Sequence, residues 1–186
     1  MVQPGRLRLG RQRGLSDREP GTYCVHVDSD VQVSTVVTFE RTTFLPLAPE
    51  AAFDLSLNID AHVGSMAESG ERVVAGVAKG IMAQGEFVTW QARHFGVTWT
   101  MTSEITEWDR PHRFVDEQVH GPFKSFWHEH VFTPLDRGTQ LRDRVRFEAP
   151  LGVLGRLAER VVLGRYMPHL IDVRNEYLVA TAGRMI

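Results

Sequence analysis

The stretch "VTWTMTSEITEW" (97–108) sets Thr98, Thr100, Thr102, Glu104 and Thr106 against Val97, Trp99, Met101, Ser103 and Ile105. That is a polar face and an apolar face at the two-residue period of a strand. Strand signals flank it on both sides: "ERVVAGVAKG" (71–80), "GEFVTWQARHF" (85–95), "FVDEQV" (114–119), residues 124–132 and "TQLRDRVRFE" (139–148). "DRPHR", "HGPF" and "PLDRG" supply the turn chemistry between successive strands. Six consecutive antiparallel strands with one wet face need something to cover the dry one.

From Pro150 the spacing becomes helical, with Leu154, Leu157, Val161, Leu170, Val173, Tyr177 and Thr181 three or four apart, and Gly164 and Pro168 expected to break or kink the helix. Upstream, "VSTVVTFERTTFL" (33–45) reads as a first strand. "LAPEAAFDLSLNIDAHVGSM" (47–66) reads as a short helix or helix pair opening at Pro49. The C-terminal helix is the only element long enough to cover the sheet. One cylinder cannot fill a whole concavity, so an internal cavity is expected. The fold class is therefore α+β, a curved antiparallel sheet of about seven strands around a long C-terminal helix.

A chain of 186 residues, 42% apolar and 24% charged, is that of an ordinary globular domain. The folded domain is expected over 33–184, with an arginine-rich, disordered tail at 1–32. A net charge of −2 argues against a nucleic-acid partner. Cys24 is the sole cysteine, which suits a reducing cytoplasm and leaves no disulfide framework. No apolar run reaches the ~20 residues of a membrane span. The amphipathic, arginine-bearing "LGRLAERVVLGRYM" suits either core packing or transient membrane contact. A monomer or a homodimer is expected.

Strand parity locates a polar constellation. Arg142, Arg144 and Arg146 must face water, so Thr139, Leu141, Asp143, Val145 and Phe147 face inward. Carrying that parity across "TPLDRG" turns Phe126, His128, His130 and Phe132 of "FWHEHVF" inward as well. Pairing Phe132 with Thr139 sets His128 opposite Asp143. Pairing Gln118 with Phe126 sets Asp116 opposite His128, with Ser103 one strand further. The expected row on the concave face is Ser103–Asp116–His128–Asp143, with His130 between Phe114 and Leu141 and freer to meet a ligand. An imidazole between two carboxylates favours its charged form, so a raised pKa is expected for His128.

Trp90, Trp99 and Met101 share the inward parity and are expected to line the cavity together with Phe126 and Gln118. The polar row admits several roles: an anchor for a mostly apolar ligand, an acid/base pair of His128 with Asp116 or Asp143, or a network that fixes strand register. A facial triad of His128, His130 and a carboxylate is the metal alternative. The neighbouring aspartates are equally placed to lock the imidazoles by hydrogen bonds, and no third histidine stands at an obvious spacing, so no metal and no cofactor are assigned. His94 at a hairpin turn reads as a surface residue, with the cavity mouth as its alternative, and His62 as a helix-end residue. "GVLGRL" lacks the Lys-Ser/Thr of a phosphate loop, and no Gly-x-Ser-x-Gly is present.

"VTWQARHFGV", "RFVDEQVHGPFKSFWHEHVF", "GTQLRDRVRFEAPLGVLGRLAE" and "VRNEYL" resemble the polyketide cyclase/dehydrase and coenzyme-Q-binding-like branch of the START/Bet v 1-like (SRPBCC) superfamily, over about residues 36–180. The resemblance implies a helix-grip fold and a cavity for a hydrophobic small molecule such as a lipid, isoprenoid quinone or aromatic polyketide. It leaves open a carrier or sensor, a cyclase/dehydratase-type enzyme using a His128–Asp pair, and a protein-interaction module.

Overall fold

The structure, a computed structural model, describes residues 36–148 and 164–186. The expectations for the tail (1–32) and for the helical residues of 149–163 lie outside the described residues.

Strand β1 (Val37–Leu45) leads into α1 (Pro49–Ser56) and α2 (Ile59–Ser65). Pro49 opens α1, and the Asn58 side chain caps α2 by accepting from the Ala61 N–H. Six strands follow: β2 (Arg72–Gly76), β3 (Phe87–His94), β4 (Val97–Asp109), β5 (Arg113–His120), β6 (Ser125–Leu135) and β7 (Gly138–Glu148). The last element is α3 (Gly164–Ala182). The sheet is antiparallel in the order β1-β7-β6-β5-β4-β3-β2, so each strand from β2 on neighbours the next and β1 closes against β7. Helix and sheet thus form the expected helix-grip arrangement.

Apolar side chains on the inner face and on α3 fall into two clusters. One gathers Leu45, Phe53, Phe114, Phe132, Leu141 and Leu178, with Phe53 edge-on to Trp108 at 5.1 Å and to Phe114 at 5.3 Å. The other gathers Phe126, Val145, Phe147, Met167 and Ile171. Between them β6, β7 and α3 carry polar residues. β7 runs Leu141, Asp143, Val145; β6 runs Phe132, His130, His128, Phe126; α3 runs Ile171, Arg174, Asn175, Leu178, all buried. A polar band therefore crosses the grip from sheet to helix.

On the outer face Glu129 is buried but ion-paired to Arg113 at 2.6 Å and to Arg144 at 3.2 Å. Arg144 is the outward arginine of β7 that serves this ladder, while Arg146 lies over the Trp127 ring.

Four expectations are corrected. β6 runs through Pro134, and Leu135 pairs with Gly138. The turn is centred one residue later than expected and the β6–β7 register moves by two. Pro134 is tolerated because the Phe132 N–H points toward β5, donating to the His112 carbonyl, and Pro134 shares that direction beyond the end of β5 pairing at Val131. Ile105, not Ser103, stands opposite Asp116: the register set at Asp109–Arg113 would place Thr106 there, and a bulge between Ile105 and Glu107 brings in Ile105. α3 continues through Pro168 without a break. Its buried face comprises Met167, Ile171, Arg174, Asn175 and Leu178, whereas Leu170, Val173, Tyr177 and Thr181 are only half-buried. Two polar residues on the inward stripe had rotated the apparent apolar face.

Gly64 lets α2 approach α3, because a Cβ there would overlap the phenol oxygen of Tyr177. Alanine normally improves a helix interior by about 1 kcal/mol over glycine. Here overpacking of about 1–3 kcal/mol is expected to win, so Gly64→Ala should lower the melting temperature. A higher melting temperature would show that Tyr177 moves aside at little cost.

Candidate functional site

A cavity of about 440 Å³ lies between the sheet and α3. Trp90, Met101, Phe126 and Ile171 form part of its apolar wall, and Asp116, His128, His130 and Arg174 its polar floor. The volume falls within the ~300–1,000 Å³ of small-molecule pockets.

The floor is built on one fully buried carboxylate, Asp143. Its Oδ1 lies 3.0 Å from His128 Nε2 and 2.8 Å from His130 Nδ1, and its Oδ2 accepts from Asn175 Nδ2 at 2.6 Å. Arg174 Nη1 stands 3.5 Å from Oδ1, while Arg174 also donates to the Asn175 side chain and to the Ser56 carbonyl. On the cavity side Asp116 Oδ2 lies 3.0 Å from His130 Nε2 and 3.7 Å from His128 Nδ1. The two imidazoles lie against each other with centroids 3.8 Å apart and planes tilted by 39°, and Phe114 stacks on His130 at 4.1 Å.

Burial alone would raise the Asp143 carboxyl. The His128 hydrogen bond, the close approach of His130 and the Arg174 charge instead hold it well below the ordinary carboxylate range. Asp116 is likewise held low: burial opposes ionisation, but His130, His128 and Arg174 outweigh it. The raised pKa expected for His128 is contradicted. Burial first, and then the neighbouring His130, push it below 6.5 despite Asp143 and Asp116.

The expected residues are placed as follows. Trp90, Trp99, Met101, Ser103, Asp116, Phe126, His128 and His130 all border the cavity. Trp99 does so from the rim, 41% exposed. Gln118 does not line it; its side chain braces the Gly121-Pro122 turn through the Phe123 N–H and carbonyl. Asp143 lies behind the imidazoles rather than on the cavity surface. His130, set against Asp143 rather than Leu141, is the less free of the two histidines. Ser103 stands beside Gln118, away from Asp116.

Four contributors, Arg174, Asn175, Tyr166 and Glu71, were not anticipated. Arg174 and Asn175 could have been flagged by their position one helical turn from both Ile171 and Leu178. At the mouth, His94 Nδ1 is 2.7 Å from Tyr166 Oη, and His62 pairs with Glu71 at 2.6 Å while stacking on Trp90. His94 and His62 therefore border the cavity rather than serving only as surface and helix-end residues.

Sheet, gripped helix and enclosed cavity define a Bet v 1-like helix-grip protein of the SRPBCC superfamily. The chain belongs to the family described as polyketide cyclase / dehydrase and lipid transport, whose model matches residues 36–183. Among solved structures it is similar to TTHA0849 from Thermus thermophilus, at 22% identity and a TM-score of 0.59, covering 78% of this chain and 98% of that one. It is also similar to the di-domain ARO/CYC StfQ from the steffimycin biosynthetic pathway, at 19% identity and a TM-score of 0.64, over 81% of this chain and 52% of StfQ. The Zhui aromatase/cyclase from Streptomyces sp. R1128 matches at 14% identity and a TM-score of 0.62, over 80% of this chain and 94% of that one. At these identities the likeness is one of fold. No curated protein matches the chain. Among the described residues, no helix is long and apolar enough to cross a membrane.

A depressed histidine pKa fixes the sign of its pH effect. The contribution of His128 to stability is fully present above 6.5 and is lost as pH falls through its lowered folded value. Ring NMR should give a His128 midpoint below 6.5. The unfolding free energy should fall on acidification from that pH, by up to about 1.4 kcal/mol per pH unit for this one group. A midpoint above 6.5 would show that the two carboxylates outweigh burial.

Proposed function

We propose that this chain holds a hydrophobic small molecule, such as a lipid, an isoprenoid quinone or an aromatic polyketide, in its cavity as a carrier or sensor. The observation that carries this reading is the cavity's division into an apolar wall and one polar end made by Asp116, His128, His130 and Arg174. An apolar body is held by the wall, and a carbonyl or hydroxyl at one end is oriented by the floor. Membership of a family described by polyketide cyclases, dehydrases and lipid transport supports the same ligand class.

One observation favours a second reading, a cyclase/dehydratase-type enzyme. His128 faces the cavity with its Nε2 3.0 Å from Asp143, an arrangement that fixes a neutral imidazole for proton transfer to or from a bound carbonyl compound. The structural neighbours StfQ and Zhui carry aromatase/cyclase in their names.

Native mass spectrometry of the purified chain against quinones, lipids and aromatic polyketides should reveal a 1:1 complex. Ser103→Phe, which fills the cavity from β4, should weaken it at least about tenfold, since the added ring competes directly for the apolar space. Equal binding by this variant would place the ligand elsewhere. His128→Ala separates the two readings: turnover lost with affinity kept indicates an acid/base role, and proportional loss of both indicates an anchor.

A further inference from the structure

The floor has a donor deficit. Four ring nitrogens of His128 and His130 lie 2.8–3.7 Å from carboxylate oxygens: two from Asp143 Oδ1 and two from Asp116 Oδ2. Ionised carboxylates only accept, and a neutral imidazole has a single N–H. Two neutral rings therefore supply two donors for four approaches. Spending both on Asp143 leaves His128 Nδ1 and His130 Nε2 aiming lone pairs at Asp116. Spending the His130 proton on Asp116 instead leaves His130 Nδ1 buried and unpartnered against Asp143, and that atom makes no well-directed hydrogen bond. Charging both rings would stack like charges 3.8 Å apart. A cation among Asp116 and the two outer ring nitrogens takes up both lone pairs and leaves the N–H of each ring facing Asp143.

The geometry suits such an ion. One ligand atom from each of Asp116, His128 and His130 lies within 4.8 Å of the other two. Two histidines two apart on β6 and a carboxylate directly across on β5 project to one side. Metal–nitrogen and metal–oxygen bonds of about 2.0–2.2 Å hold neighbouring donors roughly 3 Å apart. His130 Nε2 and Asp116 Oδ2 are already 3.0 Å apart, and His128 Nδ1 is 3.7 Å from the same oxygen. Asp116 is the most exposed of the three side chains, at 21%, and is the one with room to adjust. Behind them Asp143 contacts the second nitrogen of both rings, as carboxylates behind metal-bound histidines do. Asn175 and Arg174 saturate Asp143, leaving Asp116 as the carboxylate available to an ion.

We propose that Asp116, His128 and His130 bind a divalent first-row transition-metal ion at the floor of the cavity, through Oδ2, Nδ1 and Nε2 respectively. Two imidazoles and one carboxylate on one side of an ion leave its remaining positions open. Here those positions face the cavity, where an oxygen of a bound molecule could enter. Ion binding itself requires no cavity ligand, so the site stands or falls independently of the ligand proposed above.

The test uses the full chain without an affinity tag, stripped with chelator and titrated with cobalt(II). Uptake of one equivalent is expected, with visible d–d absorption, a raised melting temperature and large paramagnetic shifts of the His128 and His130 ring protons. Asp116→Asn should weaken cobalt binding at least tenfold. Asp143→Asn, which touches the rings from behind, should weaken it about 10–100-fold with the stoichiometry unchanged. No uptake, or uptake without shifts at these two rings, overturns the proposal, and the wild-type spectra decide this even if a variant fails to fold. Unchanged affinity in folded Asp116→Asn overturns it as well. An apolar ligand bound by protein that takes up no cobalt would remove the metal site while leaving the carrier reading intact.

Discussion

A fully buried, ionised carboxylate is among the costliest groups a fold can contain, and Asp143 is tolerated only because its surroundings were built for it. Two imidazoles from β6 and an amide and a guanidinium from α3 meet it within 3.5 Å. Those contacts tie the sheet to the helix that it grips. They also fix the direction in which both histidines face, and so the chemistry that the cavity floor presents. Removing the carboxylate would strand Arg174 and free both rings together.

The placement of this polar band explains why the cavity has two ends. β6, β7 and α3 each run apolar, polar, apolar, so the two hydrophobic clusters close the grip on either side while the band remains unfilled by hydrocarbon. An apolar molecule gains from the walls, and only a polar tip can meet the floor without leaving buried groups unpaired. The mouth carries its own polar pairs, His94 with Tyr166 and His62 with Glu71.

Much of this was legible in the sequence, for a specific reason. Three arginines at alternate positions of β7 admit one orientation, and a two-residue period carries that orientation across neighbouring strands. The inward set, including Asp143, His128 and His130, was therefore readable without a structure. Exact partners were not. A turn centred one residue later shifts the register by two, which preserves the face but replaces His128 with His130 opposite Asp143. Ser103 is absent from the row because β4 and β5 pair in a register that sets it beside Gln118, and no composition signal marks the bulge that follows Ile105. Arg174 and Asn175 were hidden because a hydrophobic pattern assigns polar residues to solvent, although here they form the helix side of the network. The His128 shift was misjudged because pairwise attraction to two carboxylates is visible in a sequence, whereas the burial and the second stacked ring that outweigh it are not.

The dependence of the fold on the Asp143–Asn175 link is most directly tested by a double-mutant cycle in urea with Asp143→Ala, Asn175→Ala and the pair. A coupling energy of at least about 1 kcal/mol is expected, within the range for residues sharing one buried network, because either single change already breaks the Asn175 Nδ2–Asp143 Oδ2 hydrogen bond. Strictly additive losses would contradict the central role given to this carboxylate.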